Sequence, residues 1–290
     1  MLLIIGATGT VGSALVTQLV EASVPVRALT RSPEKGALLP RGVQVCLGDL
    51  TDQASLAEAM TGVDRCFLIT GDTRQDANAI SAAKAAGVRH IVKLSTQEAG
   101  WTPVEGHGHW HKEREELIRA SELAWTFLRP TMFMNFALAW IGDIQQYGEI
   151  RVGGGDGRLA PVDPRDVAMM AKAALTEPGH ENRSYELTGP ELLSFSDMAN
   201  ELSRALARPV RHADISEAET RERLAEMGMP AYVANGLAET FSLIRAGRFA
   251  YRTPDIEEVT GCLPRTFGTW VAEHLTAFAA GSRDRARRRS

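Results

Sequence analysis

Met1-Leu2-Leu3-Ile4-Ile5-Gly6-Ala7-Thr8-Gly9-Thr10-Val11-Gly12 is the stretch that decides the fold. A short apolar run meets a glycine turn, and apolar residues then recur at helical spacing from Val11 onward. The order strand, turn, helix is the geometry that receives a dinucleotide pyrophosphate. Gly6 lets the chain turn sharply out of the strand. Gly9 removes a Cβ where phosphate oxygens must approach the backbone, and Gly12 lets the helix pack closely on the sheet. The first helical N–H groups and the positive end of the helix dipole then face an anion. Gly6, Thr8, Gly9, Thr10, Val11 and Gly12 are therefore the candidate phosphate cradle. The competing reading is a tight turn that holds no ligand, and the βα context weighs against it.

Composition sets the outer bounds. A length of 290 residues allows one large or two small domains, and 44% hydrophobic with 23% charged residues is ordinary for a soluble globular protein. A formal net charge of −4 argues against a nucleic-acid partner. Cys46, Cys66 and Cys262 lie far apart without metal-ligand spacing. Cys46 and Cys66 sit inside apolar runs, so buried free thiols and a cytoplasmic location are expected. No apolar run reaches membrane-spanning length, and no basic leader marks a signal peptide. Residues 281–290 are basic and nearly free of apolar side chains, which predicts a disordered tail.

Apolar runs and helix-periodic segments alternate through the first half. Strands are expected over 24–29, 43–47, 65–70, 88–94 and 125–129. Helices are expected over 11–22, 76–86 and 110–121, with shorter ones after Ser32-Pro33 and up to Met60. This alternation predicts an α/β fold: a Rossmann-type parallel sheet wound on both faces. A polar loop rich in glycine and histidine spans 97–109. After Pro130 the rhythm changes, with helices expected over 131–147, 163–175, 194–207, 216–227, 231–246 and 267–278, and a strand over 184–187. Gly153 to Gly157 reads as a flexible loop rather than a phosphate loop. The expected division is a dinucleotide-binding domain over 1–150 and a smaller, mostly helical substrate-side lobe over 151–280, interleaved with it.

The end of the second strand bears on cofactor choice. An enzyme using NAD places Asp or Glu there for the ribose 2′-hydroxyl. Here the sequence reads Ala28-Leu29-Thr30-Arg31-Ser32, with no acid. Arg31 stands where a 2′-phosphate would lie, and Lys35 adds charge, so NADP(H) is the expected cofactor. Asp49 would reach the adenine amino group with Leu50 beside the ring, or else it is a plain helix-start carboxylate.

These blocks together resemble the NmrA-like group of atypical short-chain dehydrogenases/reductases, which includes quinone oxidoreductases, triphenylmethane reductases and redox-sensing regulators. Further carriers are Ala86-Gly87-Val88-Arg89-His90, Trp125-Thr126-Phe127-Leu128-Arg129-Pro130 with Phe133 and Asn135, Pro161 to Ala168, and Asp255 to Gly261. The resemblance spans almost the whole chain. It implies that Thr70, Gly71, Ser95, Thr96, Pro130, Thr131, Met132 and Phe133 also line the cofactor.

Typical short-chain dehydrogenases protonate a carbonyl with Tyr-x-x-x-Lys. The tyrosines here are Tyr147, Tyr185, Tyr232 and Tyr251, followed four residues on by Arg151, Gly189, Gly236 and Asp255, so that pair is absent. The resemblance implies that a Lys or His at the start of the helix after the fifth strand takes part of the role. His111 is aligned there by counting back from Glu115 and Arg129, with Lys112 one residue off; with Ser95 these are the candidate catalytic residues. His107, His109 and His111 would share one face of an extended backbone, which raises a zinc site. A loop closing over substrate explains them without metal, and no metal is expected. Trp101, Trp110, Met132, Phe133, Met134, Phe136 and Trp140 predict an aromatic cleft. Two functions follow: NADPH-dependent reduction of a quinone, enone or other flat molecule, or a non-enzymatic NADP(H) sensor acting through a protein partner. A small-molecule substrate is expected, with neither nucleic acid nor membrane, in a monomer or homodimer.

Overall fold

A computed structural model describes residues 1–279. The basic segment 281–290, expected to be disordered, lies outside the described residues. The first half runs β1 (Leu2–Ile5), α1 (Thr10–Glu21), β2 (Val26–Thr30), α2 (Pro33–Gly36), β3 (Gln44–Leu47), α3 (Gln53–Met60), β4 (Arg65–Leu68), α4 (Thr73–Ala86), β5 (His90–Leu94), α5 (Gly108–Arg119) and β6 (Ala124–Pro130). Then come α6 (Ile141–Tyr147), β7 (Glu149–Val152), β8 (Arg158–Leu159), α7 (Pro164–Thr176), β9 (Arg183–Leu187), β10 (Leu193–Ser194), α8 (Phe195–Leu206), β11 (Arg211–Asp214), α9 (Glu217–Glu226), α10 (Ala231–Arg245), α11 (Asp255–Thr260) and α12 (Phe267–Glu273).

The main sheet has seven strands in the order β3-β2-β1-β4-β5-β6-β9, every neighbouring pair parallel. The chain winds outward from β1 in both directions, so a crevice opens between β1 and β4 at the carboxyl ends of the strands. The central strands β1 and β4 carry near-continuous apolar runs, as strands covered on both faces do, while β5 buries two polar side chains, His90 and Lys93. Leu2, Ile4, Phe67, Val92 and Leu128 pack under α1 and α7, while Leu3, Ile5, Leu68, Ile91 and Phe127 pack under α3, α4 and α5. The expected Rossmann sheet is borne out.

A second core is built from α6, β7, α8, α10 and α12 around Phe195, Met198, Trp140, Phe241 and Trp270. Residues α7, β9 and α11 come late in sequence yet belong to the sheet layer: α7 lies on α1, and β9 extends the sheet beside β6. The helix expected over 131–147 is shorter. Thr131–Phe133 are extended and pinned to the chain before α7, with Met134 N–H donating to Val162 O at 2.9 Å and Val162 N–H to Met132 O at 3.0 Å. A 3-10 turn, Met134–Trp140, follows before α6. The expected flexible segment 153–157 is instead packed, since a Cβ on Gly157 would fall 1.9 Å from the Ile244 carbonyl oxygen.

Candidate functional site

The glycine turn has the geometry its sequence requires. Gly6 adopts φ +86°, a left-handed conformation that a side chain resists. Its carbonyl accepts from Gly9 N–H at 3.0 Å, closing the turn. A Cβ at Gly12 would sit 2.1 Å from that carbonyl oxygen, so only glycine lets α1 start here. Gly9 caps α1 without a side-chain acceptor, and no acid occupies the first turn. The N–H groups of Thr10 and Val11 are left to an outside acceptor. The Val11 side chain itself is buried in the core under the sheet.

A cavity of about 770 Å³ extends from this turn along the ends of β1 to β4, lined by Gly6, Thr8, Arg31, Lys35, Asp49, Leu50, Thr70 and Gly71. The size and shape suit a dinucleotide. Arg31 and Lys35 are exposed at its far end, on the turn that Ser32 caps by accepting from Lys35 N–H at 3.1 Å. Asp49 spends one carboxylate oxygen on Thr51, accepting from its N–H and hydroxyl at 2.7 Å each, and these bonds hold its carboxyl below the usual range. Its other oxygen lies 3.8 Å from Arg31. The bonds from Thr51 close a local turn ahead of α3, whose start is capped instead by Asp52, accepting from Ala54 and Ser55 N–H.

A buried ionic network lies behind Thr70 and Gly71 of this cavity wall. Lys93 on β5, fully buried, donates to Thr70 Oγ1 at 2.6 Å and lies 2.9 Å from Asp76. Thr70 in turn donates to Asp76, also fully buried, at 2.8 Å. Arg114 on α5 donates to Gly71 O at 2.7 Å. Burial lowers the Lys93 pKa, and Asp76 opposes the shift. A paired network of this kind keeps the β4–α4 turn in one conformation.

A second cavity of about 340 Å³ lies at the ends of β5 and β6. Pro130 to Phe133 and Phe136 form one wall, and Leu237, Phe241 and Ile244 of α10 form the other. Ser95, Thr96, Glu98, His107 and His111 form its polar end. Glu98 is buried in a 3-10 turn after β5 (Gln97–Gly100). Gly108 makes the approach possible, because a Cβ there would meet the Glu98 backbone at 2.7 Å. His107 Nδ1 then lies 2.9 Å from Glu98 Oε1 and 2.9 Å from Thr240 Oγ1, and Thr96 donates to the other Glu98 oxygen. Burial pushes the Glu98 carboxyl up, but the bonds from His107 and Thr96 outweigh it and leave it low. His111, one helical turn on, faces the same cavity with its ring 5.7 Å from that of His107. Burial, then the positive charge of His107, Lys93 and Arg114, holds its pKa well below the ordinary histidine value, so it is neutral. Its Nδ1 is buried without a partner.

The predicted site residues thus divide. Thr96, Pro130, Thr131, Met132 and Phe133 line the second cavity. Ser95 lines it too, but its hydroxyl proton goes to Glu115 Oε1 at 2.6 Å. Glu115 is fully buried and is held by both nitrogens of the Arg129 fork at 2.9 and 2.6 Å. Lys112 is half-buried and does not line the cavity. The shared face of three histidines is corrected. Residues from Gly108 are helical, so spacing four, not two, brings rings together: His107 and His111 meet, while His109 is exposed on the outer face. No cluster suited to a metal ion occurs among the described residues. Of the expected aromatic cleft, Met132, Phe133 and Phe136 line the cavity. Met134 and Trp140 are core, Trp101 stacks edge-on against Phe249, and Trp110 meets Tyr232 outside. Sequence reasoning missed Glu98, Thr240 and the α10 wall; no periodicity or motif links them to His107.

Comparison with known proteins gives a consistent placement. A sequence model described as NAD(P)H-binding matches residues 6–178. The chain is 38% identical over 287 residues to an NAD(P)H azoreductase of Xenophilus azovorans, covering 97% of this chain and 100% of that protein. It is 40% identical over 282 residues to a (4-alkanoyl-5-oxo-2,5-dihydrofuran-3-yl)methyl phosphate reductase of Streptomyces griseus, covering 96% and 99%. The crystal structure of an NADPH-dependent quinone oxidoreductase of Escherichia coli complexed with NADPH superposes with a TM-score of 0.85 at 30% identity, covering 95% of this chain and 100% of that one. Among the described residues no helix is long and apolar enough to cross a membrane.

Proposed function

The chain belongs to the NAD(P)H-binding family, within the NmrA-like atypical short-chain dehydrogenases/reductases, and from that premise we propose that it is an NADPH-dependent reductase of flat, uncharged, conjugated acceptors. The observation that carries this reading is the pairing of two cavities along one sheet edge. One starts at the glycine turn and carries two cations, Arg31 and Lys35; the other is apolar and aromatic, with a histidine-lined end.

The residues fit the cofactor. Thr10 and Val11 N–H groups would meet the pyrophosphate, Arg31 and Lys35 the 2′-phosphate, and Leu50 the adenine. When bound, NADPH supplies a hydride from its nicotinamide ring. Thr96 and the extended segment 130–133, pinned at Val162, would hold that ring at the mouth of the second cavity. Ser95, anchored by Glu115 and Arg129, orients the β5 end against it. His111, held neutral, lines the polar end of the cavity where a substrate oxygen or nitrogen would lie. The walls exclude water and stack on a flat ring.

The second cavity also discriminates among substrates. No Lys or Arg lies among its described lining residues, and the one cation there, His107 when protonated, is already paired with Glu98, so a phosphate ester such as that named for the Streptomyces relative would enter without a free counter-charge. The azo and quinone acceptors named for the other two relatives need none. The test is NADPH oxidation at 340 nm with a panel of azo dyes, quinones and phosphate esters. Turnover of azo or quinone acceptors, with phosphate esters slower, supports the proposal. Tight NADPH binding with no acceptor reduced refutes it in favour of a cofactor-sensing role.

A further inference from the structure

Resting on the reductase reading, we propose that His107, backed by Glu98, is the proton donor to the substrate, a task separate from that of His111. The argument begins with the tautomer. His107 Nδ1 faces a buried carboxylate oxygen at 2.9 Å and the Thr240 hydroxyl oxygen at the same distance. A carboxylate accepts only, so Nδ1 carries hydrogen and Nε2 is left as the nitrogen that gains and loses a proton. Thr96 donates to the other Glu98 oxygen, and the Thr240 hydroxyl lies 3.1 Å from both Glu98 Oε1 and Gly236 O, so the carboxylate is held from both sides. A carboxylate that orients an imidazole whose far nitrogen meets the reacting centre is the arrangement of proton-shuttling enzymes. Glu98 is a positioning residue, and His107 touches the substrate cavity.

The charged and titratable groups around His107 are few. Glu98 stands on the turn after β5 and His111 on α5, with Lys93 and Arg114 acting on His111 from the sheet side; the Glu105–Arg248 ion pair lies on the preceding loop. The Tyr251 hydroxyl is occupied by Trp101 and Glu186, and Tyr232 packs on Trp110. Among the described residues lining this end of the cavity, no other side chain combines a proton with a counter-charge.

The chemistry needs such a donor for one acceptor class above others. Reducing N=N to HN–NH breaks one π bond and forms two N–H bonds. One hydrogen arrives from the reduced nicotinamide with both electrons, which oxidises the nicotinamide. The π pair moves to the second nitrogen, which takes the proton from His107 Nε2; solvent then reprotonates His107. A nitrogen anion is too basic to be left waiting, whereas a hydroquinone anion survives until water protonates it.

The experiment compares wild type, Glu98→Gln and His107→Gln with 4-(dimethylamino)azobenzene and with menadione, after thermal unfolding and NADPH affinity have shown the variants folded. Each variant is expected to lose kcat toward the azo acceptor by about 100-fold, the scale of general acid catalysis, and toward menadione by several-fold less. In cofactor-free protein labelled with 15N-histidine, one ring with a low-field Nδ1 proton is expected, and that proton is lost in Glu98→Gln. Should the variants not fold, the wild-type solvent deuterium isotope effect decides: about twofold or more on azo turnover and near unity on menadione. Equal losses or equal isotope effects for both acceptors, or azo turnover unchanged in the variants, overturn the role of His107 alone. Absence of NADPH oxidation by wild type with either acceptor overturns the reductase reading and this one together.

Discussion

Replacing Arg31 with Ala tests the cofactor assignment at a residue that makes no contribution to the core. The Arg31 side chain is 79% exposed, and its one charged neighbour is Asp49 at 3.8 Å. Surface ion pairs of that kind contribute little, so the variant should fold with unchanged stability. A guanidinium gripping a phosphate through two bonds is worth about 1.5–3 kcal/mol when desolvated. At this exposure solvent screening cuts the value to roughly 1–2 kcal/mol, which is about a 5- to 30-fold loss of NADPH affinity. NADH lacks the 2′-phosphate, so its affinity should stay level or rise slightly as Asp49 is released toward the ribose. The assay is fluorescence titration of both cofactors into both proteins at two salt concentrations, since the Arg31 contribution must shrink as salt rises. A parallel loss of NADPH and NADH affinity, or a loss of NADPH affinity below twofold, would refute the placement of the 2′-phosphate.

Gly12→Ala should abolish cofactor binding and lower stability by about 3 kcal/mol or more, because its Cβ would lie 2.1 Å from the Gly6 carbonyl oxygen; calorimetry and NADPH titration check this. Glu115→Gln removes the charge that Arg129 and Arg119 pair with in a buried site, and about 3–5 kcal/mol should be lost in urea unfolding. Acid should destabilise the fold well before carboxylates titrate. His90 Nε2 donates to Thr126 Oγ1 at 2.8 Å, since the Thr126 hydroxyl itself donates to His180 O, and Nδ1 is buried without a partner. Burial, then Arg65, lowers its pKa from 6.5 to about 4. The unfolded chain therefore takes up this proton first. Stability is whole above pH 6.5 and falls through the window down to about 4, by roughly 3 kcal/mol at most; urea unfolding against pH should show this slope reduced in His90→Gln.

Much of this was legible in the chain itself. The glycine turn, the alternation of apolar runs and helix periods, and the missing acid after β2 depend on local chemistry that a sequence displays directly. The parallel sheet followed from them, whereas the strand-end residues after β4, β5 and β6 came from the family resemblance. Residues whose conformation is set at a distance were not legible. The run Thr131–Trp140 is rich in helix formers, yet Val162 holds its start extended through two backbone bonds. The histidines of 107–111 read as alternating until the helix start at Gly108 is known. Glu98 and Thr240 are 142 residues apart and meet only because Gly108 lets α5 sit on the Glu98 turn while α10 closes over it. Glu115 and Arg129 served as markers for counting; the structure shows they also grip each other and that Glu115 holds Ser95 at the end of β5.

The central claim is that one cofactor spans both cavities and presents its nicotinamide to the apolar one. A crystal structure of the protein soaked with NADPH measures this directly. The account predicts the 2′-phosphate beside Arg31 and Lys35, the pyrophosphate on the α1 turn, and the nicotinamide C4 facing the space between Phe133, His107 and His111. A nicotinamide outside the second cavity, or one whose C4 is turned away from those histidines, would contradict it.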